Sequence, residues 1–524
     1  MKSIFKKYPF EAAFTVVFII LAVRLNLMFL TGSNINDIIA GHDEYIAVKE
    51  IYSILHPASL KHFFMAFISG NALYYGRIMF YIDALVAWIP DKIWGIEGMV
   101  FSVRLFHSLL IVISIWILAF TFIKKSGVRW LFIVGSSCLY YTMYFVMMPK
   151  PEPMQLLCLA WFLKLFKDSG WKFGRHFILF GIAYGLKFNV LLILPIVFLV
   201  PLAENTFKLN KQLLIAGFKS LFFVVAGIVI AIPCLALTPL RPIFLKTYLH
   251  ETFGGTEKTY DDASLDLNSW LMNGFGDTYL GVGALAIPFV LFAFVLLVSD
   301  FRRAIKEKDY SSPLLIISGL ILMSVIMLKT KRLWPHYLWT AYILMLLGML
   351  NSIDFRTKLL KAKFELTVMA LFISSSFIFF IKRELPVYLK LEQSEEVVNN
   401  MEWSQAAIDY LNTNYSGKRI GTDGTMLYPF RDFVAVDRYH PFEGKLADKA
   451  STRFYWYKDN PIKIWDDNND AVVYYQLRPD VLMQQEKYSK NENVILQFKK
   501  YNSMLDSLYT EDTSFGDIVI FKKQ

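Results

Sequence analysis

The sequence predicts a mainly α-helical, polytopic membrane bundle of about 11–13 transmembrane helices, followed by a small C-terminal α/β domain. Three observations carry this. Apolar segments recur up to about residue 382 in a chain of 524 residues that is 55% hydrophobic, with mean hydropathy +0.41. Basic residues cluster in alternate connections between those segments. After residue 383 the composition changes to Asn, Asp, Lys and Tyr. A soluble chain of this size would expose more apolar surface than water tolerates.

Residues 10–30 form the first apolar stretch, of about the length a bilayer requires. Lys2, Lys6 and Lys7 precede it and hold its start in the cytoplasm. It has no small-residue cleavage site after it and reads as a retained anchor. Further spans are expected at 99–122, 129–147, 154–166, 177–189, 190–202, 213–237, 282–299, 312–328, 338–351 and 365–381. With this set every inward loop is basic, from Lys124, Lys125 and Arg129 through to Arg356, Lys358, Lys361 and Lys363. Residues 60–95 are apolar but carry Asp83, and they read as re-entrant or interfacial helices. Residues 1–382 then form the transmembrane domain. Residues 383–524 form an extracytoplasmic α/β domain, with a helix near 401–413 and strand-like runs at Ala471–Tyr475 and Asp517–Phe521.

The net charge of +10 is distributed as topology signals, which argues against nucleic-acid binding. Cys138, Cys158 and Cys234 lie in apolar segments and offer neither metal spacing nor a disulfide framework.

The chemistry-bearing residues gather in the outward loops. Gly41-His42-Asp43-Glu44-Tyr45 follows the first span and presents two adjacent carboxylates at the membrane face. One suits a general base for an acceptor hydroxyl or amine, the other an orienting role; a solvated loop or helix cap gives the same pair. Met148-Pro149-Lys150-Pro151-Glu152-Pro153 is a stiff turn that holds Lys150 and Glu152, or merely joins two helices. Lys187 and Asn189 interrupt an apolar run, so Lys187 either lines a cavity or snorkels to the interface. In the 238–281 loop, His250-Glu251 precedes Thr-Phe-Gly-Gly, a flap-like arrangement; the pair lacks the second histidine of an HExxH metal site. Lys329-Thr330-Lys331-Arg332-Leu333-Trp334-Pro335-His336-Tyr337 is a basic cluster on the outer side, against the positive-inside trend. A phosphate just above the membrane accounts for it, as does an anionic headgroup. Arg77, after Tyr74-Tyr75-Gly76, is a further outer cation.

In this order the motifs resemble those of the GT-C membrane glycosyltransferases, in the branch of the protein O-mannosyltransferases and the lipid A aminoarabinose transferases. The resemblance runs through about the first 380 residues. Asp43-Glu44-Tyr45 is similar to the family's first-loop acidic pair, Tyr74-Tyr75-Gly76-Arg77 to its aromatic-basic interfacial helix and Glu152-Pro153 to its short acidic turn. Leu186-Lys187-Phe188 partly matches the family's Thr-Lys-Gly. The Lys329–Tyr337 run matches its late Lys-Gly-Lys-Leu-Pro-x-Tyr motif with two extra residues. His42 beside the acidic pair is also a feature of lipid-pathway mannosyltransferases.

The resemblance implies an inverting sugar transfer from a polyprenyl-phosphate-linked donor to a glycan, lipid or protein acceptor. Asp43 would be the base and Glu44 its partner. Arg77, Lys329, Lys331, Arg332 and Tyr337 would hold the lipid phosphate. His42, Tyr45, Glu152, Lys187, His250, Glu251 and His336 would contact substrate. No cofactor is expected, although Asp43, Glu152 and His250 could hold a divalent metal if their loops converge. The expected place is a bacterial inner membrane, with the site and the C-terminal domain facing the periplasm. The rival readings are a lipid-linked glycan flippase and a glycan polymerase or ligase with an oligosaccharide-diphosphate donor.

Overall fold

The computed structural model describes residues 8–28, 42–57, 60, 63–64, 76–137, 140–208, 210–236, 267–329, 335–356, 360–384, 395–422, 434–437, 470–475, 507–516 and 518–524. Among the described residues six helices are long and apolar enough to cross a membrane, and a bent pair makes a seventh candidate. The chain is an integral membrane protein with a mainly α fold.

Helix α1 (Pro9–Met28) opens with proline at its first position, where the missing N–H costs nothing. Its first turn is fixed by Glu11, which is fully buried. Glu11 Oε1 accepts hydrogen bonds from Ser126 Oγ (2.7 Å) and Arg129 Nε (3.2 Å). One turn on, Thr15 Oγ1 accepts from Trp116 Nε1 at 2.7 Å. Helix α2 (His42–Leu55) follows, then α3 (Arg77–Phe122). A straight helix would hold Asp83 and His107 about 36 Å apart. Instead His107 Nε2 lies 3.0 Å from Asp83 Oδ1, because the helix folds back at Gly95, midway between them. Gly95 has φ 65° and ψ −150°, a conformation that only glycine adopts at low cost. The second arm, 96–122, runs antiparallel to α1. Residues 122–129 therefore sit at the Glu11 end of the bundle.

Helices α4 (Ser126–Ser137) and α5 (Tyr140–Met147) meet at 63°. The Asp354 carboxylate accepts from the N–H groups of Lys124 (2.8 Å) and Lys125 (3.2 Å), just before α4. Helix α6 (Pro151–Asp168) returns to the Glu11 end, where Lys167 Nζ donates to Thr121 O at 3.0 Å. Its Pro151 end is therefore at the opposite face. Helix α7 (Phe177–Leu186) rises beside it and breaks into a 3-10 turn, Phe188–Ile193, before α8 (Leu194–Glu204). Helix α9 (Lys211–Ala231) packs on α7 backbone to backbone. A Cβ on Gly181 would lie 2.1 Å from Val224 O, so only glycine permits this approach.

A π-helix, Trp270–Leu280, leads into α10 (Ala286–Glu307), α11 (Ser311–Lys329), a 3-10 turn at Pro335–Leu338, α12 (Trp339–Arg356) and α13 (Leu360–Phe379). Helix α12 is the core of this half: Leu338 to Leu347 are buried throughout. By contrast α9 and α10 expose Phe218, Phe222, Leu291, Phe294 and Val298, the pattern of a lipid-facing surface. Several spans expected from the sequence are shorter or more broken than a simple crossing. The 129–147 stretch is the bent α4–α5 pair, and 177–202 is split by the 3-10 turn.

The tail has helix α14 (Glu395–Asn414) and strands β1 (Arg419–Thr422), β2 (Val434–Asp437), β3 (Ala471–Tyr475), β4 (Tyr509–Phe515) and β5 (Ile518–Lys523). They form one sheet in the order β2-β1-β3-β5-β4, parallel at β2-β1-β3 and antiparallel at β3-β5-β4. Ala407, Ile408 and Leu411 of α14 cover Ile420, Ala471, Ile518 and Ile520.

Candidate functional site

Asp43 and Glu44 lie in the first turn of α2, together with His42 and Tyr45. Acidic residues there are favoured by the helix dipole, so local energetics alone account for part of this pattern. The side chains of these four lie outside the described residues, but the helix that carries them is held at two points. Glu50 is seven residues, and so about 10 Å, beyond Asp43 along the same helical row. Its Oε2 accepts a hydrogen bond of 2.5 Å from Arg77 Nη1, and both side chains are buried. Beyond the end of α2, His56 Nε2 lies 2.7 Å from Asp91 Oδ2, with the Tyr52 ring stacked on the imidazole at 4.4 Å.

Arg77 starts α3 beside the end of α7. Gly76 N–H donates to Leu186 O at 3.5 Å, and a Cβ on Gly76 would lie 2.8 Å from Gly185 O. The next residue of α7, Lys187, is extended (φ −158°, ψ 129°). Gln155, fully buried on α6, braces this break: its Nε2 donates to Lys187 O (2.6 Å) and to Ala183 O (2.9 Å), which also accepts from the Lys187 N–H at 3.3 Å, and lies 3.0 Å from Asn189 Oδ1.

The break aims Lys187 at the start of α6, where it forms an ion pair with buried Glu152. Lys187 Nζ also sits 4.4 Å from the centre of the Tyr337 ring. Lys150, extended because a proline follows it, is 3% exposed, with its Nζ 5.2 Å from the centre of the Tyr144 ring. His336 fills the space between these aromatics, with ring centres 4.4 Å from Tyr337, 5.7 Å from Tyr141 and 6.0 Å from Tyr144. Burial, with the charges of Lys187 and Lys150, pushes the His336 pKa far below the usual imidazole range, so His336 is neutral at working pH. Close by, Trp339 Nε1 donates to Thr142 Oγ1 at 2.9 Å.

The structure therefore brings four of the expected site residues, Glu152, Lys187, His336 and Tyr337, into one aromatic cup at the face opposite Glu11. Arg77 borders the cup, and its guanidinium is engaged with Glu50. Lys329 is the last residue of α11, with its side chain outside the described residues; Lys331, Arg332, His250 and Glu251 also lie outside them. Sequence reasoning did not single out Glu50, Gln155 or Tyr144. Glu50 and Gln155 had a faint signal, as each shares a helical face with a candidate, Asp43 and Glu152 respectively.

No protein-family model and no curated protein sequence matches the chain. Solved structures do. ArnT from Cupriavidus metallidurans in the apo state superposes with a TM-score of 0.55 at 12% identity, over 97% of this chain and 98% of that one. The same protein bound to undecaprenyl phosphate gives 0.51 at 11% identity, with the same coverage of each chain. Over its described residues the chain has the GT-C fold of these proteins.

Proposed function

We propose that this chain is a GT-C glycosyltransferase that moves a sugar from a polyprenyl-phosphate carrier to an acceptor at the membrane face opposite Glu11. One observation carries the reading. The helix bearing Asp43 and Glu44 is tied through Glu50 and Arg77 to the end of α7, and so to the Lys187–Glu152–Tyr337 cup. The undecaprenyl phosphate bound to ArnT supports a lipid-phosphate donor on the same fold. The basic loops at the Glu11 end support a cytoplasmic placement of that end, with the site on the outer, periplasmic side of an inner membrane.

In this reading Asp43 accepts the proton of the acceptor hydroxyl or amine as the acceptor atom bonds to the anomeric carbon. The bond from that carbon to the phosphate oxygen breaks, and its electron pair leaves with the polyprenyl phosphate. A single displacement inverts the anomeric centre. Glu44 orients the acceptor. Lys329, Lys331 and Arg332 neutralise the phosphate as it departs, with Tyr337 assisting and Arg77 joining them when Glu50 releases it. Fixed cations placed where charge develops are the main source of rate here, and the step needs no metal.

The test is incubation of the purified chain with a panel of polyprenyl-phosphate sugars, reading release of the lipid phosphate. Asp43→Asn should lower turnover by about a hundredfold or more, the range of a lost general base. Full activity in Asp43→Asn would overturn the assignment.

A further inference from the structure

We propose that Gln155, together with Glu152 one turn before it on α6, forms a hydroxyl-accepting subsite that selects the sugar on the lipid carrier. The inference rests on the glycosyltransferase reading for the presence of a sugar; its binding is tested apart from its transfer.

Gln155 is fully buried, and its carboxamide fits in one orientation. Nε2 lies within 3.0 Å of three acceptors, Ala183 O, Lys187 O and Asn189 Oδ1. Turning the amide over would set Oε1 against three lone-pair-bearing oxygens. Oε1 is therefore the atom that faces away from the α7 break. It is buried and accepts no hydrogen bond from any described residue. Glu152 lies three residues earlier on the same helical row and is 2% exposed. Its Oε1 takes the Lys187 ammonium. Its Oε2 is likewise buried and accepts from no described residue.

A buried acceptor that has lost water and gained no donor is costly, so native chains rarely keep one without a reason. Two of them, one turn apart on one helix, call for a ligand that brings donors. Charge selects which kind. Lys187 and Lys150 both act on His336 from close range, so an ammonium or a metal ion would enter beside two cations. A neutral hydroxyl brings a donor without that repulsion. Residues three apart on a helix set their Cβ atoms about 5–6 Å apart, close enough for neighbouring hydroxyls of one ring to reach both oxygens. The ring of Tyr337, 4.4 Å from Lys187 Nζ and from the centre of the His336 ring, adds a flat apolar face for the sugar's C–H groups. Gln155 is held from its nitrogen side by the backbone of α7, so its oxygen is fixed before the sugar arrives.

The test uses the full chain in nanodiscs. Affinity is measured for bare undecaprenyl phosphate and for the same carrier bearing each of a panel of neutral hexoses and pentoses. At least one sugar should add about tenfold or more to the affinity of the bare carrier, as expected of a site built to bond a hydroxyl. Gln155→Met should abolish that gain and leave the bare carrier unchanged. Gln155→Asn keeps the amide but withdraws its oxygen by one methylene, and it gives the same readout if Gln155→Met does not fold. On the wild-type chain, deleting the ring hydroxyls of the preferred sugar one at a time should cost about tenfold for at least one position. The proposal is overturned if no sugar adds affinity, or if no single hydroxyl matters. It is also overturned if the Gln155 variants weaken bare and sugar-linked carrier equally, since that is the mark of a brace alone. A gain that depends on Gln155 in a chain that releases no lipid phosphate sinks the transferase reading and leaves the subsite standing.

Discussion

The tie between Glu50 and Arg77 makes a quantitative prediction about how the acidic helix is held. The side chains are 3% and 1% exposed, and the contact is 2.5 Å long. Removing one partner leaves the other charge buried without its counterion, which costs about 3–5 kcal/mol. Arg77→Met also loses the guanidinium contacts with Phe80 at 4.9 Å and Tyr81 at 5.9 Å, worth about 1 kcal/mol more. Glu50→Leu should thus destabilise by about 3–5 kcal/mol and Arg77→Met by slightly more. The double variant removes both charges and replaces them with apolar groups, so it should be less destabilised than either single variant. The coupling energy in the double-mutant cycle should then be at least about 3 kcal/mol. Equilibrium unfolding in mixed micelles gives the stabilities. Hydrogen exchange of residues 42–55 tells whether the loss is local to α2 and should show faster exchange in both single variants. Additive single effects would refute the idea that this pair, rather than general packing, docks α2 on α3.

Two more outcomes follow from packing and from charge. Gly181→Ala should lower the melting temperature markedly, because its Cβ would meet Val224 O at 2.1 Å and α7 and α9 must separate; overpacking of this kind costs about 1–3 kcal/mol or more. Unchanged melting would show that the two helices are not held at that distance. In the tail, burial raises the Asp512 pKa, but hydrogen bonds from the hydroxyls of Tyr415 (2.7 Å) and Tyr410 (2.8 Å), with Lys522, outweigh it and hold the carboxyl below its ordinary value. A depressed carboxylate contributes stability that is present above its unfolded pKa, about 4, and is lost as pH falls through the folded value. Tail unfolding followed by tyrosine and tryptophan fluorescence should therefore sharpen below about pH 4. Asp512→Asn should flatten that dependence and destabilise the tail at neutral pH.

Where local pattern decides structure, the sequence was legible. The apolar run expected at 312–328 is α11 (Ser311–Lys329), and the tail strand expected at Ala471–Tyr475 is β3 with the same bounds. The helix expected near 401–413 lies inside α14, and the run Asp517–Phe521 overlaps β5. Each depends on a periodicity written into neighbouring residues. The reversal at Gly95 falls where the sequence reading ends its re-entrant stretch, ahead of the span at 99–122; the fold-back that sets His107 beside Asp83 was not legible, because it depends on a partner arm distant in sequence.

The cup was half legible for a deeper reason. Glu152, Lys187, His336 and Tyr337 stood out because a charged or polar group beside a span is costly wherever the chain goes. What each does depends on pairing, and pairing is not local. Glu152 follows Lys150 by two residues, so the sequence puts those two together. The structure pairs Glu152 with Lys187, across the interface of α6 and α7, and sets Lys150 Nζ 5.2 Å from the centre of the Tyr144 ring. That choice is made by the break after Leu186, which Gln155 stabilises by donating to Ala183 O and Lys187 O on either side of it. Arg77 shows the same logic in reverse. Its motif position suggests a phosphate ligand, yet its guanidinium meets Glu50 from a helix 27 residues earlier in the chain. A motif fixes which charges arrive at one membrane face; the helix breaks decide which of them meet each other.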